Sequence, residues 1–230
     1  MKARTLLAAI CLSLLILAVL AGPAQGWSIG SPENGYLGTH GWILDQAYVM
    51  AGSPPWLDLQ AAKSTLDDPD TVYKDFYFHY YDRWGIPFGD APTMVAYRFT
   101  LTKTLLKNGD NLGASRQLGL LAHYFQDITQ PLHTDLTLAQ APVHSAYETA
   151  VNGLLDGITI TGDGFAPVTA PRAHAVSAAA FAHTYYNQVI YLYSKYGIGN
   201  AQLQGITNVC LQRAVNDLAD YIATLEGAAS

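Results

Sequence analysis

The sequence predicts an all-α fold, a bundle of about six or seven helices, on three observations. Apolar residues recur at helical spacing through most of the chain, and the segments between them are rich in Pro, Gly and Asp. No internal repeat, low-complexity tract or linker marks a second domain, and the length suits one full hydrophobic core.

In chain order, residues 1–26 read as a secretory signal. Lys2 and Arg4 precede an apolar run from Leu6 to Ala21, and small residues follow in Gly22-Pro23-Ala24-Gln25-Gly26. The run is also close to the length of a bilayer span, so an uncleaved anchor is the competing reading. Cleavage after Gly26 leaves Trp27 as the first residue of a secreted domain, 27–230, expected to be monomeric. Helical periodicity then marks Trp42–Met50, Thr93–Leu106, Ser115–Phe125, Ser145–Leu155, Arg172–Tyr196 and Gln202–Leu225. The short Ile158-Thr-Ile-Thr161 piece beside Gly162-Asp-Gly164 reads as a small hairpin or an irregular excursion.

Charge and cysteine usage narrow the function classes. The formal charge is −6, and it falls to −8 once the signal's two basic residues are removed, so no basic nucleic-acid surface is expected. Only Cys210 remains after the signal, which excludes an internal disulfide and leaves core packing or metal to hold a secreted domain.

Five of the seven histidines lie in contexts suited to metal. His123-Tyr-Phe-Gln-Asp127 and His144-Ser-Ala-Tyr-Glu148 each place an imidazole and a carboxylate four residues apart, about 40° in azimuth and about 6 Å in height on a helix. Either pair alone is commonly a helix-surface ion pair. Two such pairs flanking Pro131-Leu-His133, with His40 and His79 upstream in aromatic settings, are harder to read that way. Imidazole with carboxylate is the donor set that zinc takes in open, water-bearing sites. His174 and His183 lie apart, on the alanine-rich helix, and read as structural or exposed.

Trp27, His40 thirteen positions later, Phe76-Tyr-Phe-His79-Tyr-Tyr-Asp82, the His123-to-His133 run and His144-Ser-Ala-Tyr-Glu148 together resemble the bacterial zinc-dependent phospholipase C family. The likeness runs through most of the chain after the signal, in the same order. It implies an all-α bundle with three zinc ions at one end of the helices. One zinc would be held by an upstream carboxylate, His79, His123 and Asp127. A second would take His133, His144 and Glu148. The third would take the freed amine and carbonyl of Trp27 with His40, Asp127 bridging to the first. Of the upstream carboxylates Asp67, Asp68 and Asp70, Asp68 best matches the family's position, with Asp67 next. Asp68 is also the expected general base, and Phe76 the expected substrate contact.

The resemblance further implies a phospholipid substrate at a lipid surface, cleaved to diacylglycerol and a phosphorylated headgroup. Trp56 and Trp84 sit in loops that suit a bilayer interface, with core anchoring as the alternative. Gly30 stands where choline-preferring relatives have Glu, and Pro69 where a Tyr is expected, which puts choline specificity in doubt. Gln126 replaces a Gly and Asn152 an Asp, neither at a ligand position, and no β-sandwich follows the last helix. The rivals are a secreted zinc nuclease or nucleotidase, which shares this site plan, and a zinc-binding protein without turnover.

Overall fold

The computed structural model describes Trp27, residues 38–85 and residues 87–229; the expected signal and Gly30 lie outside the described residues. Within them run eight α-helices: α1 Gly38–Met50, α2 Leu59–Leu66, α3 Ala91–Lys107, α4 Asn111–Thr129, α5 His144–Asn152, α6 Pro171–His183, α7 Tyr186–Tyr196 and α8 Ala201–Glu226. Among the described residues the only β pairing is an isolated antiparallel bridge between Asp82 and Phe88.

α4 is the axis of the bundle. Every residue from Leu118 to Thr129 is buried, because α2, α3, α6 and α8 all pack on it. A helix covered on all sides is apolar all round unless its polar groups have partners, and His123, Gln126, Asp127 and Thr129 are the polar exceptions here. Asp110 starts α4 by accepting the Gly113 N–H at 2.8 Å, and Asn200 starts α8 by accepting the Leu203 N–H at 3.0 Å. Each such cap is worth about 1 kcal/mol.

Two features were not legible in the apolar spacing. Helix α2 is short and buries only Ala61, Ala62 and Leu66; it is held by its Asp58 cap and by close approach to α4. A Cβ on Gly119 of α4 would run into the Ala62 carbonyl oxygen and the Thr65 hydroxyl. Gly119→Ala is therefore expected to destabilise the chain by about 1–3 kcal/mol through overpacking against backbone, read as a lower urea midpoint. An unchanged midpoint would show that α2 is free to move away.

The expected single helix Arg172–Tyr196 is divided. The Thr184 hydroxyl donates to the Phe181 carbonyl at 2.7 Å, and the Thr184 and Tyr185 N–H groups bond three residues back, so the turn tightens and one helix ends before the next begins. The 158–161 segment forms no hairpin: its backbone bonds to α8 side chains instead.

A candidate metal centre

α4 supplies His123 and Asp127, one turn apart and fully buried. The short helical turn Phe76–His79 delivers His79 against them, with its Nδ1 2.8 Å from Asp127 Oδ2 and 3.2 Å from His123 Nε2. His40 arrives from α1 and stacks on His123 with centroids 4.5 Å apart, its Nε2 3.4 Å from Asp127 Oδ1. The two Asp127 oxygens thus face different imidazoles, as a bridging carboxylate must.

A second cluster adjoins the first. After α4, Pro131–His133 forms one turn that sets His133 toward α5. His144 Nε2 lies 2.7 Å from Glu148 Oε1 and 3.0 Å from His133 Nε2, and His133 Nε2 is 3.3 Å from the same Glu148 oxygen. The halves are tied together by the His133 Nδ1, which meets the His79 carbonyl oxygen at 2.7 Å, and by Tyr80 stacked on His133.

Of the three candidates Asp67, Asp68 and Asp70, the one that faces both His79 and His123 is Asp70, not Asp68. Asp70 Oδ1 is 3.5 Å from His79 Nδ1 and Oδ2 is 3.8 Å from His123 Nε2, with the side chain 5% exposed. The wide turn Pro69–Tyr73 explains the difference. Positions three apart share a helical face, so Asp67 and Asp70 both turn toward the histidines, and Asp67 Oδ1 is enclosed without a partner. Asp68 lies about 100° round the turn and makes no contact with the cluster's histidines.

Of the other expected residues, Trp27 is completely buried; its indole N–H donates to Thr129 Oγ1 at 3.2 Å and its ring packs against Tyr147. Both neighbours are two residues or fewer from a cluster carboxylate. Phe76 is half-buried one turn before His79, against Tyr80 and Phe88. The two loop tryptophans part company. Trp56 is 3% exposed and belongs to the core, whereas Trp84 is 45% exposed and stacks on His183.

Several supporting side chains were not singled out as functional. Gln126 Oε1 lies 2.5 Å from His40 Nδ1 and so fixes the imidazole. Gln130 donates to Glu148 Oε1 at 2.8 Å. Tyr124 donates to Asp75 at 2.7 Å, and Asp75 in turn faces His79 Nε2. Their separation of three or four positions from cluster members, Gln126 to His123 and Asp75 to His79, was the available signal.

The donor set fits metal ions. His40 Nε2, His123 Nδ1, Asp70 Oδ2 and Asp127 Oδ1 are enclosed without hydrogen-bond partners, and ring nitrogens face one another at 3.0 and 3.2 Å. Buried polar groups left so cost free energy unless something else meets them. His40, His123 and Asp127 offer ligand atoms within 4.8 Å of one another; so do Asp70, His79 and His123, and so do His133, His144 and Glu148.

Without metal the pocket retains protons. Burial opposes charge on His79, but the Asp127 hydrogen bond and charge, helped by Asp75 and Asp70, carry its pKa up to about 10. Burial pushes Glu148 up to about 7 against His133 and Gln130, and pushes His144 down to about 4. Because His79 titrates above its unfolded value of 6.5, its stabilisation is complete below that pH and lost as pH rises toward 10. The metal-stripped chain is expected to lose up to about 1.4 kcal/mol per pH unit from this group between about pH 7 and about pH 9. Urea unfolding at fixed ionic strength tests this, and stability that rises across that range would contradict it.

No family model matches the chain. Curated relatives do: a phospholipase C of Listeria monocytogenes is 29% identical over 161 residues, 60% of this chain and 56% of the relative. A phospholipase C of Bacillus cereus is 29% identical over 165 residues, 60% of this chain and 58% of the relative. The chain is thus similar in sequence to bacterial phospholipases C. The aligned region spans somewhat over half the length of those relatives. The fold is shared with the alpha-toxin of Clostridium perfringens, at a TM-score of 0.63 and 20% identity over 84% of this chain and 64% of the toxin. The alpha-toxin of Clostridium absonum gives a TM-score of 0.61 at 20% identity, over 84% of this chain and 65% of the toxin. The all-α architecture expected of the phospholipase C family is thus the one observed.

Proposed function

We propose that this chain is a zinc-dependent phospholipase C, secreted after signal removal and acting as a monomer on phospholipids at a lipid surface. The observation that carries the reading is the meeting of five imidazoles with Asp70, Asp127 and Glu148 in two adjoining buried clusters, in a chain related to phospholipases C. Three zinc ions are the proposed complement. His79, His123, Asp70 and Asp127 would hold one, His133, His144 and Glu148 another, and His40, Asp127 and the main chain of a liberated Trp27 the third. Zinc bound there supplies Lewis acidity toward phosphoryl oxygens and lowers the pKa of water to near neutrality.

The chain's own residues do the rest. Asp127 joins two of the groups, Gln126 and Asp75 fix the His40 and His79 rings, and Gln130 fixes Glu148. Asp70 takes over the general-base role assigned to Asp68 in the sequence. Its Oδ2 has no hydrogen-bond partner and lies 3.8 Å from His123 Nε2, so it is placed to accept a proton from attacking water. Phe76, on the surface of the His79 turn, is the proposed apolar contact for the substrate. The reaction adds water across the phosphorus–oxygen bond on the diacylglycerol side, and the released alkoxide takes a proton to become the free hydroxyl.

The test is a substrate panel. Zinc-loaded chain beginning at Trp27 should release phosphorylated headgroups from phosphatidylcholine or phosphatidylethanolamine in mixed micelles, and leave single-stranded DNA intact. Cleavage of DNA with no action on either lipid would replace this reading with a nuclease.

A further inference from the structure

A third group of metal-type side chains lies on α6 and α8, and the phospholipase reading makes no use of it. It is built around the irregular segment between α5 and α6. The backbone N–H groups of Thr161, Asp163, Ala166 and Val168 donate to Gln212 Oε1 at 3.0 Å, Asn216 Oδ1 at 3.1 Å, Asp220 Oδ1 at 2.9 Å and Thr224 Oγ1 at 2.9 Å. These four acceptors recur every four residues, so a single stripe of α8 clasps the segment as a strap.

Beside the strap is a cleft of about 310 Å³, whose lining includes Asp163, His174, Arg213, Asp217 and Asp220. His174 on α6 and Asp217 and Asp220 on α8 each offer a ligand atom, all within 4.8 Å of one another. Asp217 and Asp220 are buried, at 5% and 6% exposure. His174 Nε2 is enclosed by protein with no hydrogen-bond partner, and Asp217 Oδ2 is 3.5 Å away. The one cation in the group is Arg213, whose Nε donates to Asp217 Oδ2 at 2.6 Å.

Charge balance identifies what is missing. Asp163, Asp217 and Asp220 bring three negative charges to the cleft and Arg213 returns one positive, leaving an excess that a divalent cation neutralises. Burial, then the Asp217 and Asp163 charges, push the Asp220 carboxyl upward, as expected for like charges held together, while the Ala166 N–H and His174 oppose the shift. Calcium and magnesium take oxygen donors almost alone, whereas a neutral imidazole among carboxylates favours zinc and its transition-metal neighbours.

We propose that His174, Asp217 and Asp220 form an additional zinc-type site, separate from the cluster on α4, which fastens the 158–168 strap to α6 and α8. The ion there is structural: it joins three segments and is not required for hydrolysis.

Equilibrium dialysis of the full chain against zinc tests this. Asp220→Asn keeps an oxygen for the Ala166 N–H while removing the charge, and His174→Ala removes the imidazole. Each is expected to bind one zinc fewer per chain than the unaltered protein, with lipid hydrolysis within about twofold of the parent. An undiminished zinc count in folded variants overturns the proposal, whatever the lipid assay gives. Amide exchange of the unaltered chain provides the second reading, free of any substitution. Zinc should slow exchange at Asp163 and Ala166 at least tenfold, and no slowing at the strap overturns the proposal as well.

Discussion

Asp127→Asn is expected to abolish phospholipid hydrolysis and strip metal from the pocket. Both Asp127 oxygens are engaged by imidazoles, His40 on one side and His79 and His123 on the other, in a position with no solvent exposure. Outer partners of metal ligands are worth about 10–100-fold in affinity, so a carboxylate that faces three of the cluster's imidazoles should exceed about 100-fold in kcat/KM. Asparagine keeps the shape and one acceptor oxygen, so the loss would report charge rather than packing. It also removes the main influence raising the His79 pKa, and the high-pH decline of the stripped chain should flatten. A variant retaining activity within tenfold and full zinc content would show that Asp127 orients the histidines and binds nothing.

The second large effect separates two neighbouring carboxylates. Asp70→Asn is expected to lower turnover by at least about 100-fold, since it removes both a donor beside His79 and His123 and the proposed proton acceptor. Asp68→Asn should leave turnover within about threefold, in the range of an ordinary surface change. The opposite pattern would restore the assignment made from sequence position.

That pair shows where a sequence stops being readable. His123, Asp127, His144 and Glu148 were legible as neighbours because α4 and α5 are regular, and a four-residue interval in a regular helix fixes a shared face. The Leu59–Leu66 helix and the wide turn after it carry no such regularity. Within three candidates spaced by one and two residues, the face presented depends on a turn closed by the Lys74 N–H to the Pro69 carbonyl at 2.7 Å, with Lys74 at φ 52°. No local pattern announces that turn. Trp56 and Trp84 teach the same lesson for loops: both sit among Pro and Gly, yet the first is buried beside α2 and the second is half exposed on His183. His174 looked incidental because its partners lie more than forty residues away on α8, and only the packing of α6 on α8 joins them.

The broad fold was readable for a different reason. Helical spacing in α4 and α8 reflects burial against a common core, which periodicity reports directly. The division between α6 and α7 was hidden because it involves no Gly or Pro, only a threonine hydroxyl capturing a carbonyl.

Removing the metal and returning zinc separates a zinc hydrolase from every rival. Phosphorylated headgroup released from mixed micelles would be followed in the chain beginning at Trp27, then after removal of metal, then after zinc is returned. Activity should vanish on stripping and recover to at least about half on adding zinc, with Asp127→Asn recovering nothing. Headgroup release that survives complete removal of metal, or a zinc-replete folded chain that releases none, would contradict the zinc phospholipase reading.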